Sequence, residues 1–187
     1  MKKNKTMSIL VLIIVGGISF FVFMLYAAIK TKSTNLKGYE PYKELMGKTV
    51  VLQYRTTLFE EKIKIMTPND EYPYLLLDER HPEWQYAEDN KKLPEPDLIE
   101  IISFPVGTKF TIEKATQYTN GVSGMSSPSV SGTINSGGKE YKVFYRWGKM
   151  DISKYFDKIK KCWKFHQAPW QIKQDTTFYA LPEAKMW

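Results

Sequence analysis

The sequence predicts a β-rich α+β domain behind a transmembrane helix: a small antiparallel sheet or SH3-like barrel with one amphipathic helix. Three observations carry that reading. Residues 8–29 run 22 positions without a charge. Several later runs alternate apolar and polar residues with period two, between turns rich in Gly, Pro and Asn. A single later segment has strong helical spacing, which leaves strands to build most of the domain.

The apolar run, SILVLIIVGGISFFVFMLYAAI, comes first. As a helix rising about 1.5 Å per residue it covers roughly 33 Å, enough to cross a hydrocarbon core of about 30 Å. It outruns the apolar stretch of a cleaved signal peptide, and its end lacks a small-x-small site, because Tyr26 precedes Ala28 and Leu25 precedes Ala27 by two positions. No cysteine near its end offers a site for lipid attachment. The expectation is an uncleaved signal anchor. Lys2, Lys3, Lys5 and the terminal amine precede the run, against Lys30, Lys32 and Lys37 after it, and this bias places the N-terminus in the cytoplasm. The expected organisation is a cytoplasmic tail (1–7), a single-pass anchor (8–29), a polar tether (30–38) and an extracytoplasmic domain in the cell envelope (39–187).

Within the domain, EPYKELMG (40–47) reads as a short helical turn, with Pro41 at its first position and Gly47 in the left-handed position past its end. KTVVLQY (48–54) and TLFEEKIKIM (57–66) read as strands, the second ending in strict alternation of Ile63 and Ile65 with lysines. PYLLLD (73–78) reads as an edge strand or buried loop, since Pro73 argues against a central strand. Residues 78–97 are polar and proline-rich, a loop with one turn of helix. LIEIISF and KFTIEK form strands about PVGT, where Pro105 suits the second and Gly107 the fourth position of a type I turn.

TNGVSGMSSPSVSG (119–132) reads as an exposed Gly/Ser loop. A hairpin follows, its arms SVSGTI and KEYKVFYRW turning at 135–138. Tyr141, Val143, Tyr145 and Trp147 share one face of the second arm; Phe144 stands on the other, between Lys142 and Arg146. In MDISKYFDKIKKCWKF (150–165), Ile152, Tyr155, Phe156, Ile159 and Trp163 recur at helical spacing behind a plausible Asp151 cap, with lysines at the C-terminal end. The tail DTTFYALPEAKMW adds a last short strand. The total is about seven strands and one or two helices.

Charge excludes one class of partner. The net +7 is concentrated in residues 1–37, which carry six lysines and no acid; the rest holds 21 basic and 20 acidic residues, too balanced for a nucleic-acid footprint. The domain is still polarised: residues 60–100 hold 12 acids and five bases, residues 139–164 nine bases and three acids. Such segments either offset one another in the fold or steer a charged partner.

Cys162 and His166, in KKCWKFHQAPW, stand four apart and would touch on a helix. A nucleophilic cysteine wants a depressed pKa and a base held by a third group, and Cys162 falls at the disfavoured C-terminal end of the predicted helix. Burial as a small hydrophobe is the reading preferred. With His81 these residues make three ligands at most, short of a structural zinc site, so no metal is expected. No GxGxxG, P-loop, GxSxG or HExxH pattern points to a cofactor or reaction class.

The five tryptophans, Trp84, Trp147, Trp163, Trp170 and Trp187, fit core filling or a binding surface. The functional expectation is a membrane-anchored extracytoplasmic interaction module that engages a protein or an envelope polymer. One version is an immunity-type protein that neutralises a toxic enzyme. The residues expected to contact the partner are Tyr145, Arg146, Trp147 and Lys149. The alternative is an envelope hydrolase using Cys162 with His166, or a carboxylate pair near His81.

Overall fold

A computed structural model describes residues 2–64 and 66–183, so Ile65, Trp187 and the end of the tail, all used above, lie outside the described residues. Helix α1 (Lys2–Ile29) contains a stretch, Met7–Ile29, that is long and apolar enough to cross a membrane, and none of that stretch is buried by the rest of the chain. Phe20, Phe21, Val22 and Phe23, successive positions that point to all sides of the helix, are all exposed, so no core of this protein covers them.

The expected tether is built into the fold. Strand β1 (Lys32–Asn35) starts three residues after α1 ends and pairs antiparallel with β6 (Lys109–Thr119). Leu36 is fully buried, and its N–H donates to the Ala115 carbonyl at 2.9 Å. A 3-10 turn (Tyr42–Glu44) follows, with Gly47 in the expected left-handed conformation at φ +72°.

Among the described residues, eight further strands complete two sheets. β2 (Thr49–Val51) pairs with the start of β6. The main sheet adds β3 (Thr56–Glu61), β4 (Tyr74–Leu77), β5 (Leu98–Phe104), β7 (Ser126–Ser136) and β8 (Lys139–Arg146), in the order β1-β6-β7-β8-β4-β3-β5. Every pairing is antiparallel except β4 with β8. The sheet does not close, so the SH3-like barrel is replaced by an open sheet. A second, two-stranded sheet joins β9 (Lys149–Met150) to β10 (Trp163–Lys164).

Several elements depart from expectation, each for a physical reason. β3 stops at Glu61 because its buried carboxylate accepts the Met66 and Thr67 backbone N–H groups and folds the chain back, leaving Ile63 exposed. β4 is internal rather than an edge; Pro73 sits just before its first residue, where no ladder bond is lost. Helix α2 (Trp84–Asn90) is longer than the single turn expected. At 105–108 the Thr108 N–H donates to the Pro105 carbonyl, so the turn starts one residue later than expected and Gly107, φ +91°, takes the third position. That position requires positive φ in a type II turn.

The Gly/Ser run is the largest departure. Only 120–125 is loop; from Ser126 the chain is a central strand with Ser129, Ser131 and Thr133 buried. Small residues are needed there: a Cβ on Gly132 would lie 1.9 Å from the Thr111 carbonyl oxygen, beside the bulge between Ile112 and Lys114. Pro128 is tolerated because its carbonyl, and so its missing N–H, faces the β8 side beyond the end of β8, where Trp147 donates to it. The hairpin turns as expected, with Gly137 and Gly138 both at positive φ.

The main sheet packs on both faces. Tyr141, Val143, Tyr145 and Trp147 join Phe104, Phe110, Trp163 and Trp170 in the larger core. Phe144, on the opposite face of β8, belongs to a second core with Phe59, Leu75 and Leu77. The last predicted helix shrinks to α3 (Ile152–Phe156). Asp151 caps its start through the Lys154 N–H. Its end is set by Ile159 N–H to Lys154 carbonyl and Lys158 N–H to Tyr155 carbonyl, with Lys158 itself left-handed at φ +58°. Among the described residues of the tail, only Tyr179 bridges to Trp163.

Candidate functional site

The KKCWKFHQAPW segment is extended, not helical, and that separates the pair it contains. At about 3.3 Å per residue, four extended residues span roughly 13 Å of chain. His166 Nε2 lies 2.9 Å from the Tyr145 hydroxyl, and its ring stands edge-on to His81 at 4.7 Å between centroids. Cys162 points instead into a surface groove. Burial raises its thiol pKa, the reverse of what a nucleophile needs. The Cys162–His166 dyad is not assembled.

Around His166 lies a buried polar cluster. His81, 4 % exposed, has both ring nitrogens engaged: Nε2 donates to the Arg146 carbonyl at 2.9 Å, and Nδ1 accepts the Glu83 N–H at 3.1 Å. Burial pushes its pKa down to about 4, and burial together with the His81 ring pushes His166 down to about 3. Both rings are therefore neutral at pH 7. The nearby carboxylates are raised by burial, yet each meets an arginine: Asp78 pairs with Arg80, and Glu83 with Arg146. This cluster clasps the loop after β4 to the end of β8 and to the 162–170 segment. Most of its polar groups pair with one another, but the second carboxylate oxygens of Asp78 and Glu83 are buried without a hydrogen-bond partner. Among the described residues, no three His, Cys, Asp or Glu side chains converge as metal ligands.

The groove lies at the end of the domain where α1 enters. It has a volume of about 890 Å³ and is bounded by the start of β1, the 120–126 loop, α3 with the turn after it, and residues 180–183. Trp163, Cys162 and Met150 form its floor, while Phe156 and Ile159 stand at its lip, 75 % and 43 % exposed. Lys158 and Lys160 also line it. No ion pair among the described residues engages either of them, nor Lys149 or Lys161.

The structure divides the four residues expected to bind a partner. Tyr145 and Trp147 are core residues, 0 % and 1 % exposed, so a macromolecule has no access to their rings. Arg146 is held by Glu83 and Ser127. Lys149 is exposed on β9, next to Met150 of the groove. The sequence reading missed the groove because it used the apolar residues of 150–165 as a core-facing helix. The signal was nevertheless present: an apolar stripe immersed in five lysines. Comparisons with known protein families, with characterised proteins and with solved structures find no match to this chain.

Proposed function

We propose that the chain is a single-pass, membrane-anchored binding module whose domain stands on the extracytoplasmic side and takes a component of the envelope in the groove beside the anchor. The observation that carries this reading is the groove. It gathers exposed apolar side chains with Lys158 and Lys160, which form no ion pair among the described residues, and Glu183 is the one acidic residue among its described lining. A protein or envelope polymer is the partner class expected from the sequence, with toxin neutralisation as one such role. The thiol version of the hydrolase reading loses support, because Cys162 lines the groove while His166 pairs with Tyr145.

Two measurements on the full chain test it. In a Cys162→Ala background, Glu140→Cys on the exposed hairpin should react with a membrane-impermeant maleimide in intact cells; labelling only after lysis places the domain on the other side. A photoreactive amino acid at position 156 should yield an adduct of defined mass, protein or lipid. No adduct above that from position 140 removes the groove as the binding surface.

A further inference from the structure

The domain cannot swivel freely on its anchor. Only two residues separate α1 from β1, β1 is hydrogen-bonded along β6, and Gly121 sits so close to the end of α1 that a Cβ there would lie 2.5 Å from the Ala28 carbonyl oxygen. One end of the domain, the 120–126 loop with the groove, is therefore fixed next to the point where the apolar helix emerges. That end carries large apolar side chains in the open: Val122 is 77 % exposed, Met125 69 % and Phe156 75 %. Around them, residues 149–164 contribute six lysines against two aspartates, and Lys30 follows the helix directly.

We propose that this face lies on the bilayer in which α1 is anchored. Val122, Met125, Phe156 and Ile159 enter the headgroup region, and Lys158 and Lys160 take the phosphates of anionic phospholipids from that leaflet. The inference rests on the anchored-module reading and names the occupant of its groove. Apolar side chains ringed by lysines match an anionic interface in both chemistry and layout. Each contact needs little affinity of its own, because the anchor holds the face at high effective concentration over the lipid. The left-handed Lys158 turns the chain sharply after α3, which leaves Phe156 and Ile159 at the lip of the groove and not in the core.

The test uses the full chain, Cys162→Ala, in nanodiscs of phosphatidylcholine with or without phosphatidylglycerol. An environment-sensitive fluorophore is placed at Val122→Cys, at Phe156→Cys and, for reference, at Glu140→Cys. At positions 122 and 156 the label should be quenched by brominated lipid at least about threefold more than at 140, as expected for side chains in the interface, and shielded from aqueous iodide. Phosphatidylglycerol should deepen the effect, and replacing Lys154, Lys158, Lys160 and Lys161 by Gln should remove that increment. Labels at 122 and 156 as open to iodide as the one at 140, with α1 still inserted by protease protection, overturn this inference alone. A chain that does not co-purify with the discs overturns the anchored reading and this inference with it. Capture of protein in place of lipid by the photoprobe at 156 in cells overturns the lipid assignment and leaves the binding groove standing.

Discussion

Two neighbouring stretches, 152–159 and 162–170, are similarly rich in aromatic and apolar residues, and the fold treats them in opposite ways. In the first, Ile152, Tyr155, Phe156 and Ile159 are all exposed. In the second, Cys162, Trp163, Phe165, Ala168 and Trp170 are all buried. Hydrophobic content does not separate them; what each stretch meets does. The second runs across Tyr42, Tyr145 and Trp147 of the larger core, with the Trp147 indole N–H donating to the His166 carbonyl at 2.8 Å. The first is released from the sheet by the Asp151 cap and by the left-handed Lys158, and its apolar side chains find no protein to cover them. An apolar stripe with no internal partner marks a surface meant for another phase or molecule.

The largest effect expected from this contrast is in the buried stretch. Phe165 is 2 % exposed, and its ring lies 4.9 Å from that of Trp147 and 5.5 Å from that of Tyr179 between centroids. Phe165→Ala leaves a cavity among rings that cannot collapse onto it, and the loss of stability should be about 3–5 kcal/mol. Chemical denaturation of the full chain in detergent, followed by near-UV circular dichroism, measures it. A loss below about 1 kcal/mol would mean that the segment is loosely laid on the sheet, and the contrast would fail.

A smaller effect follows from pH. The folded pKa values of His81 and His166 lie at about 4 and about 3, below the ordinary 6.5. Between those limits the unfolded chain binds protons that the folded chain refuses. Stability is therefore full above about pH 6.5 and falls as the pH drops, by roughly 2 kcal/mol per histidine between pH 6.5 and 5. The raised carboxyls of Asp78 and Glu83 act in the opposite sense and offset part of this loss as the pH falls. Denaturation midpoints over pH 5–8 should show this slope, and His166→Gln should roughly halve it. A flat profile would mean that both rings reach water.

Much of the fold could be read from the chain because local rules suffice for it. The long apolar helix, the Gly137–Gly138 hairpin and the inward row of Tyr141, Val143, Tyr145 and Trp147 each follow from residue type and period. What could not be read depends on neighbours distant in sequence. Ser126–Pro128 looks like loop by composition and instead extends the predicted hairpin arm into a long central strand, because it pairs with β6 on one side and β7 pairs with β8 on the other. Tyr145 and Trp147 were assigned to a partner, yet the segment at 162–170 covers them. The Cys162–His166 pairing assumed a helix that ends at Phe156. For the groove, the sequence supplied the right residues and the wrong direction, since spacing alone gives the face of a helix but not whether that face has anything to rest on.

The smallest expected effect on stability is also the sharpest discriminator between the two stretches. Phe156 and Ile159 are hydrophobic residues at helical spacing, and in a core their joint replacement by serine would cost several kcal/mol. Where the structure places them, 75 % and 43 % exposed, Phe156 keeps most of its surface in water when the domain folds, and Ile159 is only partly covered. The double variant Phe156→Ser with Ile159→Ser should thus cost no more than about 1.5 kcal/mol in detergent that does not itself engage the groove. A loss above about 2 kcal/mol would show that 152–159 is core after all, and the two stretches would cease to differ. If stability holds while the lipid quenching of a label at Val122 falls, the same two side chains will have been shown to be dispensable for folding and required for contact with the membrane. Only an outward-facing apolar surface behaves in that way.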